Sequence, residues 1–136
     1  MGALAGEPRS RPRAVREPPP ADPGADDAIV RSVRQFAHRQ LDPLKLDREG
    51  RIPPEVLDGL RQLGVFGLTL PEAHGGVGAS LSLATRVIAA LAETDRSVAT
   101  TVGLHLGLGT RGLVRYGEPA LQAELLPGLA SGAMVA

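Results

Sequence analysis

The chain has 136 residues, of which 43% are hydrophobic, 22% charged and only 2% aromatic, and its 15 Lys plus Arg balance 15 Asp plus Glu. That length allows one domain with a core of Leu, Val, Ile and Ala, and the even charge offers no basic field for nucleic acid. Without cysteine, disulfides, thiolate catalysis and cysteine-based zinc sites are excluded, and a cytoplasmic location is expected.

Residues 1–25 carry Pro, Arg, Gly and Ala with no apolar period, including Pro18 to Pro20 in succession. They read as a disordered tail, because such a segment cannot bury enough surface to offset its ordering entropy. The stretch lacks the apolar centre of a secretory signal, and Glu7 and Glu17 spoil the pattern of a transit peptide. From Asp26 the spacing of Ile29, Val33, Phe36, Ala37 and Leu41 predicts an amphipathic helix that ends before Pro43. Asp26 and Asp27 at its start and Arg39 near its end suit the helix dipole.

Pro53 and Pro54 open a second helix whose buried stripe is Val56, Leu57, Leu60 and Leu63, and Gly64 closes it in a left-handed cap. Glu55 and Asp58 sit in its first turn, where carboxylates serve the dipole, and they receive no chemistry. The next stretch, Leu68 to Ser80, reads LTLPEAHGGVGAS. Pro71 fixes φ there, while Gly75, Gly76 and Gly78 permit positive φ or a close approach of other atoms. The plain reading is a connector between helices. A phosphate-binding loop would need a following Lys-Ser/Thr and a long preceding strand, and neither is present.

Ala84, Val87, Ile88 and Leu91 give a third helix from about Leu81 to Thr94, after which Asp95 or Ser97 can cap a fourth, Val98 to Tyr116. Its opening VATTVGLHLGLGT holds thirteen residues without a charge. A membrane span needs roughly 18 or more apolar residues, so the expectation is a helix that partners bury on nearly all sides. Gly103, Gly107, Gly109 and Gly112 each cost on the order of 1 kcal/mol relative to Ala, which calls for a close neighbour, a bend or room for a ligand. His105 lies far in sequence from His38 and His74, so it reads as a core or pocket-wall histidine, and no metal is expected. After Gly117, Pro119 starts a fifth helix that buries Leu121, Leu125 and Leu126 and stops at Pro127. Residues 133–136 read as the start of a strand whose partners lie elsewhere. The fold class is thus all-α, an up-and-down bundle of about five helices over residues 26–132.

In order along the chain, LRQLGVFGL, LPEAHGGVGAS, LAETDRS, VGLHLGLG and RYGEPALQAELLPGLASG resemble the N-terminal α-helical domain of the acyl-CoA dehydrogenases, over about Ala28 to Ala136. The Pro-Glu-x-x-Gly-Gly-x-Gly loop, the Glu93 to Asp95 helix end and the Leu-Pro-x-Leu-Ala-Ser-Gly segment carry the resemblance together. It implies an oxidoreductase of fatty acid metabolism in which an N-terminal helical domain, a middle β domain and a C-terminal four-helix domain close around FAD and an acyl thioester. In that family a carboxylate takes the α-proton and the β-hydride passes to the flavin.

The resemblance also implies that the fourth helix looks toward the acyl chain, which makes Thr101, Leu104, His105 and Leu108 the expected substrate-pocket residues. Residues 133–136 become the start of a missing middle domain. The family's Thr-Glu-Pro and Gly-Ser-Asp segment and its base-bearing helices do not occur in this sequence, so no residue is expected to be catalytic or to bind the cofactor. Glu72, Glu93, Glu118 and Glu124 each have a loop, helix-end or solvated-face explanation. The expectation is an N-terminal domain present as a fragment or separate subunit, inactive alone. Its partners would be an acyl-CoA or acyl-carrier thioester and the missing domains, with homo-oligomers once complete. The alternative is a non-catalytic helical interaction module that docks a partner helix on Val98 to Thr110.

Overall fold

The computed structural model describes residues 23–136, and among these no strand occurs. The helices are α1 (Pro23–Gln40), α2 (Pro43–Glu49), α3 (Pro54–Gln62), α4 (Leu81–Ala92), α5 (Arg96–Leu104), α6 (Thr110–Tyr116) and α7 (Pro119–Ala130). A π-helical segment, His105–Gly109, joins α5 to α6 into one rod. Most of the expected tail, residues 1–22, lies outside the described residues. Its last three residues, Pro23 to Ala25, are helical instead, because the first turn of a helix has no use for the N–H that proline lacks.

The all-α expectation holds, with corrections to the elements. Helix α2 was not foreseen. Pro43 does end α1, but Asp42 caps a new helix from the same place, its carboxylate accepting from the Leu44 and Lys45 N–H groups at 3.1 Å each. Nor does Pro127 stop the last helix, which runs on to Ala130. Proline forfeits the bond to the Ala123 carbonyl, and since both residues are exposed, water can satisfy that carbonyl. Leu121, expected inside, is 43% exposed, while Leu129 takes the buried place beyond the proline.

Two ion pairs fix how α1 and α4 run. Asp27 pairs with Arg86 and Arg34 with Glu93, both across 59 residues of sequence, so the two helices are parallel and held two turns apart along their length. The Arg34 contact is a two-pronged grip at 2.7 and 2.9 Å. Helix α5 turns back from α4 through Asp95, whose side chain accepts from the Val98 N–H at 2.9 Å. Between these rods, Val33, Ala37, Leu60, Phe66, Val87, Leu91, Val98 and Val102 form the main core. Burying each large aliphatic or aromatic side chain contributes about 1.5–3 kcal/mol over leaving it exposed. Helix α3 crosses close to α1, since a Cβ on Gly59 would lie 2.7 Å from Phe36 Cζ. A second, smaller cluster of Leu70, Leu126, Leu129 and Ala130 seats α7 against the loop.

The glycine-rich loop folds onto its own stem. The N–H groups of Val77, Gly78 and Ala79 donate to the carbonyls of Gly67, Leu70 and Leu68 at 2.9, 2.8 and 2.8 Å, and Gly76 donates to Pro71 at 3.1 Å. Gly75 and Gly78 have φ of 84° and 65°. The loop is therefore a tied connector, with its donors used internally rather than left for a phosphate.

Candidate functional site

Helix α5 begins on its Asp95 cap and carries a regular ladder to Leu104, where the backbone widens into the π segment. A π turn takes in an extra residue, so it shifts the phase of every side chain beyond it. The four residues expected to line one pocket are divided between two faces of the rod. Thr101 is half-buried, Leu104 is 48% exposed and Leu108 is 83% exposed, whereas His105 is fully buried. The expected helix buried on nearly all sides is in fact two-faced: Val98, Ala99, Val102, His105, Leu106 and Thr110 face inward, and Leu104 and Leu108 face out.

His105 is held on three sides. Its Nε2 lies 3.1 Å from the Phe66 carbonyl oxygen, its Nδ1 lies 3.1 Å from the Ala136 amide nitrogen, and its ring stands edge-on to Phe66 with centroids 5.2 Å apart and planes at 86°. A carbonyl can only accept and an amide N–H can only donate, so the ring is the neutral tautomer with the proton on Nε2. Burial pushes the imidazole below its ordinary value of 6.5, partly offset by the Phe66 and Leu129 carbonyls.

On the outer face, a groove of about 530 Å³ runs between the start of α4 and the wide turn, lined by Leu81, Gly103, Gly107, Leu108, Arg111 and Gly112. A neighbouring hollow of about 450 Å³ shares Arg111 and Gly112 and reaches Thr69, Thr110 and Tyr116. Neither Gly107 nor Gly112 has any atom within 4 Å of where a Cβ would stand, so both keep space open toward the groove. Gly109 does meet a close neighbour, Ala136, with a Cβ position 2.6 Å from that residue's own Cβ. The sequence flagged four glycines but not their division: Gly109 is packed tightly, Gly103 meets Ile88 at an ordinary 3.6 Å, and Gly107 and Gly112 stand open. Leu81 and Arg111 were missed as groove walls, because their place depends on how α4 meets the rod. Arg111 and Arg115 form no ion pair among the described residues, and Arg115 lies 5.6 Å from the centre of the Tyr116 ring.

The groove walls include no acid or base with a shift toward general catalysis. The carboxyls of Asp27 and Glu93 sit below their ordinary range because Arg86 and Arg34 bond to them, and that of Glu55 is lowered first by its own backbone N–H. Those directions keep them ionised, and a general base working near neutrality needs the reverse. Among the described residues no group of three His, Asp or Glu could hold a metal ion, and no helix is long and apolar enough to cross a membrane.

The family model for the acyl-CoA dehydrogenase N-terminal domain matches residues 24–133. Similar curated proteins include a very long-chain specific acyl-CoA dehydrogenase, mitochondrial, of Rattus norvegicus, 34% identical over 108 residues, covering 79% of this chain and 16% of that protein. A short/branched chain specific acyl-CoA dehydrogenase, mitochondrial, of Bos taurus is 34% identical over 105 residues, covering 76% and 24%. A probable acyl-CoA dehydrogenase, fadE25, of Mycobacterium bovis is 32% identical over 115 residues, covering 82% and 29%. The chain thus spans less than a third of the length of each. A solved chain from work on the electron transferring flavoprotein of Acidaminococcus fermentans superposes with a TM-score of 0.72 at 21% identity, covering 81% of this chain and 30% of that one, which is a likeness of fold.

Proposed function

The chain belongs to the acyl-CoA dehydrogenase family as an N-terminal domain, and on that premise we propose that it forms one apolar wall of the acyl pocket in a flavin-dependent enzyme that introduces an α,β double bond into an acyl thioester. The observation that carries this reading is the pairing of exposed Leu104 and Leu108 with open glycines at 107 and 112 beside a groove of about 530 Å³. Two leucines in water cost hydrophobic free energy, and two helical glycines cost about 1 kcal/mol each, so a surface that keeps both is shaped for an apolar occupant. The Thr101 hydroxyl already donates to the Ser97 carbonyl at 3.0 Å, which leaves its methyl group for apolar contact. His105 acts from beneath, anchoring the rod between Leu104 and Leu108.

The glycine-rich loop does not fit FAD: its amides, which could otherwise cradle a pyrophosphate, are committed to its own carbonyls. Flavin contacts and the catalytic base are therefore assigned to polypeptide outside this chain, whether joined to it or on a partner subunit, and this chain alone is inactive. The substrate is an acyl group on CoA or a carrier protein, the complete enzyme is a homo-oligomer, and it works in the cytoplasm.

The test is Gly107→Leu in the complete enzyme. A leucine there narrows the groove, so KM for long acyl-CoA substrates rises while that for short ones and the FAD content stay as they were. An unchanged chain-length preference overturns the pocket-wall reading. A non-catalytic docking module would use the same face, and the same substitution would then weaken self-association instead.

A further inference from the structure

We propose that His105 is a proton-operated latch on residues 133–136: the neutral ring holds the Ala136 N–H on its Nδ1, and the protonated ring releases it.

The geometry defines two states. In the neutral state one tautomer serves both contacts, with Nε2–H donating to the Phe66 carbonyl and Nδ1 accepting from the Ala136 N–H, each at 3.1 Å. A proton added to Nδ1 would face the Ala136 N–H donor to donor, and the contact becomes repulsive. The Leu129 carbonyl on α7 favours the charged ring. Protonation thus removes the ring's contact with the 133–136 segment while the Phe66 contact remains.

The opening is local because the rest of the segment is tied down by groups that do not titrate with His105. Arg61 Nε donates to the Gly132 carbonyl at 2.9 Å, Met134 N–H donates to the Gly128 carbonyl at 3.1 Å, and Ala133 N–H donates to Ser131 Oγ at 3.3 Å. Only Ala136 depends on the imidazole, and it also rides against Gly109, the last residue of the π segment. The wide turn therefore holds both halves of the latch: the buried His105 at its start and, at its end, a residue without a side chain where Ala136 crosses.

No charged side chain among the described residues forms an ion pair with the ring. Of the charged side chains on the surrounding elements, Arg61 on α3 engages Asp58 and the Gly132 carbonyl, Arg111 and Arg115 on α6 are exposed, as is Glu124 on α7, and the short turn at Val65–Gly67 carries none. Burial sets the direction. The charged ring is disfavoured, so the proton goes on below the ordinary value of 6.5. The latch works this way whether or not the outer face binds an acyl chain.

The test is residue-resolved amide hydrogen exchange, with imidazole nitrogen shifts read in parallel, between about pH 8 and about pH 5. At the upper end Ala136 should be protected roughly five- to tenfold over its intrinsic rate, as one net hydrogen bond provides, and the nitrogen shifts should report the Nε2–H tautomer. That protection should vanish along the His105 titration while Met134 keeps its own. His105→Phe should leave Ala136 unprotected at every pH. Should that variant fail to fold, Gly109→Ala serves instead: its new methyl group displaces Ala136 but keeps the ring, so protection is lost and His105 titrates at higher pH than in the parent. Protection of Ala136 that persists once His105 is charged, or that survives in a folded His105→Phe chain, overturns the latch.

Discussion

A Cβ on Gly76 would overlap the Leu70 carbonyl and lie 2.7 Å from Leu70 Cβ, so residue 76 is glycine because its own loop closes upon it. The neighbour is rigid backbone, already bonded to the Gly78 N–H at 2.8 Å, and cannot step aside. Gly76→Ala should therefore destabilise the chain by about 1–3 kcal/mol, seen as a lower urea midpoint with an unchanged slope.

Gly112 is the converse case. It lies inside α6 with nothing within 4 Å of a Cβ, so Gly112→Ala should gain helix propensity and raise the stability of the isolated chain by roughly 0.5–1 kcal/mol. The same urea titration checks it, and a loss of stability would mean that the glycine has a local structural reason after all.

Leucines on the two sides of the fold should answer truncation very differently. Leu126 is fully buried in the small cluster that seats α7, and Leu126→Ala should cost about 2–5 kcal/mol. Leu108, 83% exposed, should move stability by no more than about 0.5 kcal/mol when changed to Ala in the chain alone. Thermal unfolding of the two variants side by side reads the contrast.

Stability should also depend on pH through His105. Its folded value is depressed by burial, so the unfolded chain binds the proton more readily. The contribution is complete above the unfolded value near 6.5 and is lost as pH falls through the folded one. Asp27 and Glu93, lowered by their arginines, contribute stability that is complete above their ordinary values of 3.8 and 4.5 and is lost as pH falls below them. Urea midpoints should fall as pH drops below 6.5, and His105→Phe should remove the histidine part of that fall while leaving the carboxylate part.

Much of the fold was legible because its signals are local. Pro54 at the start of α3, Gly64 at φ 68° after it, and Asp95 capping α5 all sit where residue chemistry puts them. The errors came where one residue type serves two purposes. Pro43 and Pro127 were both read as stops, yet proline is welcome in a first turn, and an exposed one can be carried through a helix. The site was less legible. Positions 101, 104, 105 and 108 lie on one broad side of a regular α-helix. The inward face set by Val98, Ala99 and Val102 nevertheless takes in His105 at its edge and leaves Leu104 and Leu108 outside, and nothing in a run of Leu and Gly announces the π turn that follows. The contact between His105 and Ala136 joins residues 31 apart and has no periodic signature at all.

The account's central claim is that this helical array is one wall of an acyl-oxidising enzyme and does no chemistry by itself. The direct measurement is reduction of a dye acceptor by the purified chain supplied with FAD and acyl-CoA substrates from butanoyl to palmitoyl, alone and then joined to the remaining domains of an acyl-CoA dehydrogenase. The account predicts no reduction by the chain alone and turnover in the joined protein. Turnover by the isolated chain, with no other polypeptide present, would contradict it.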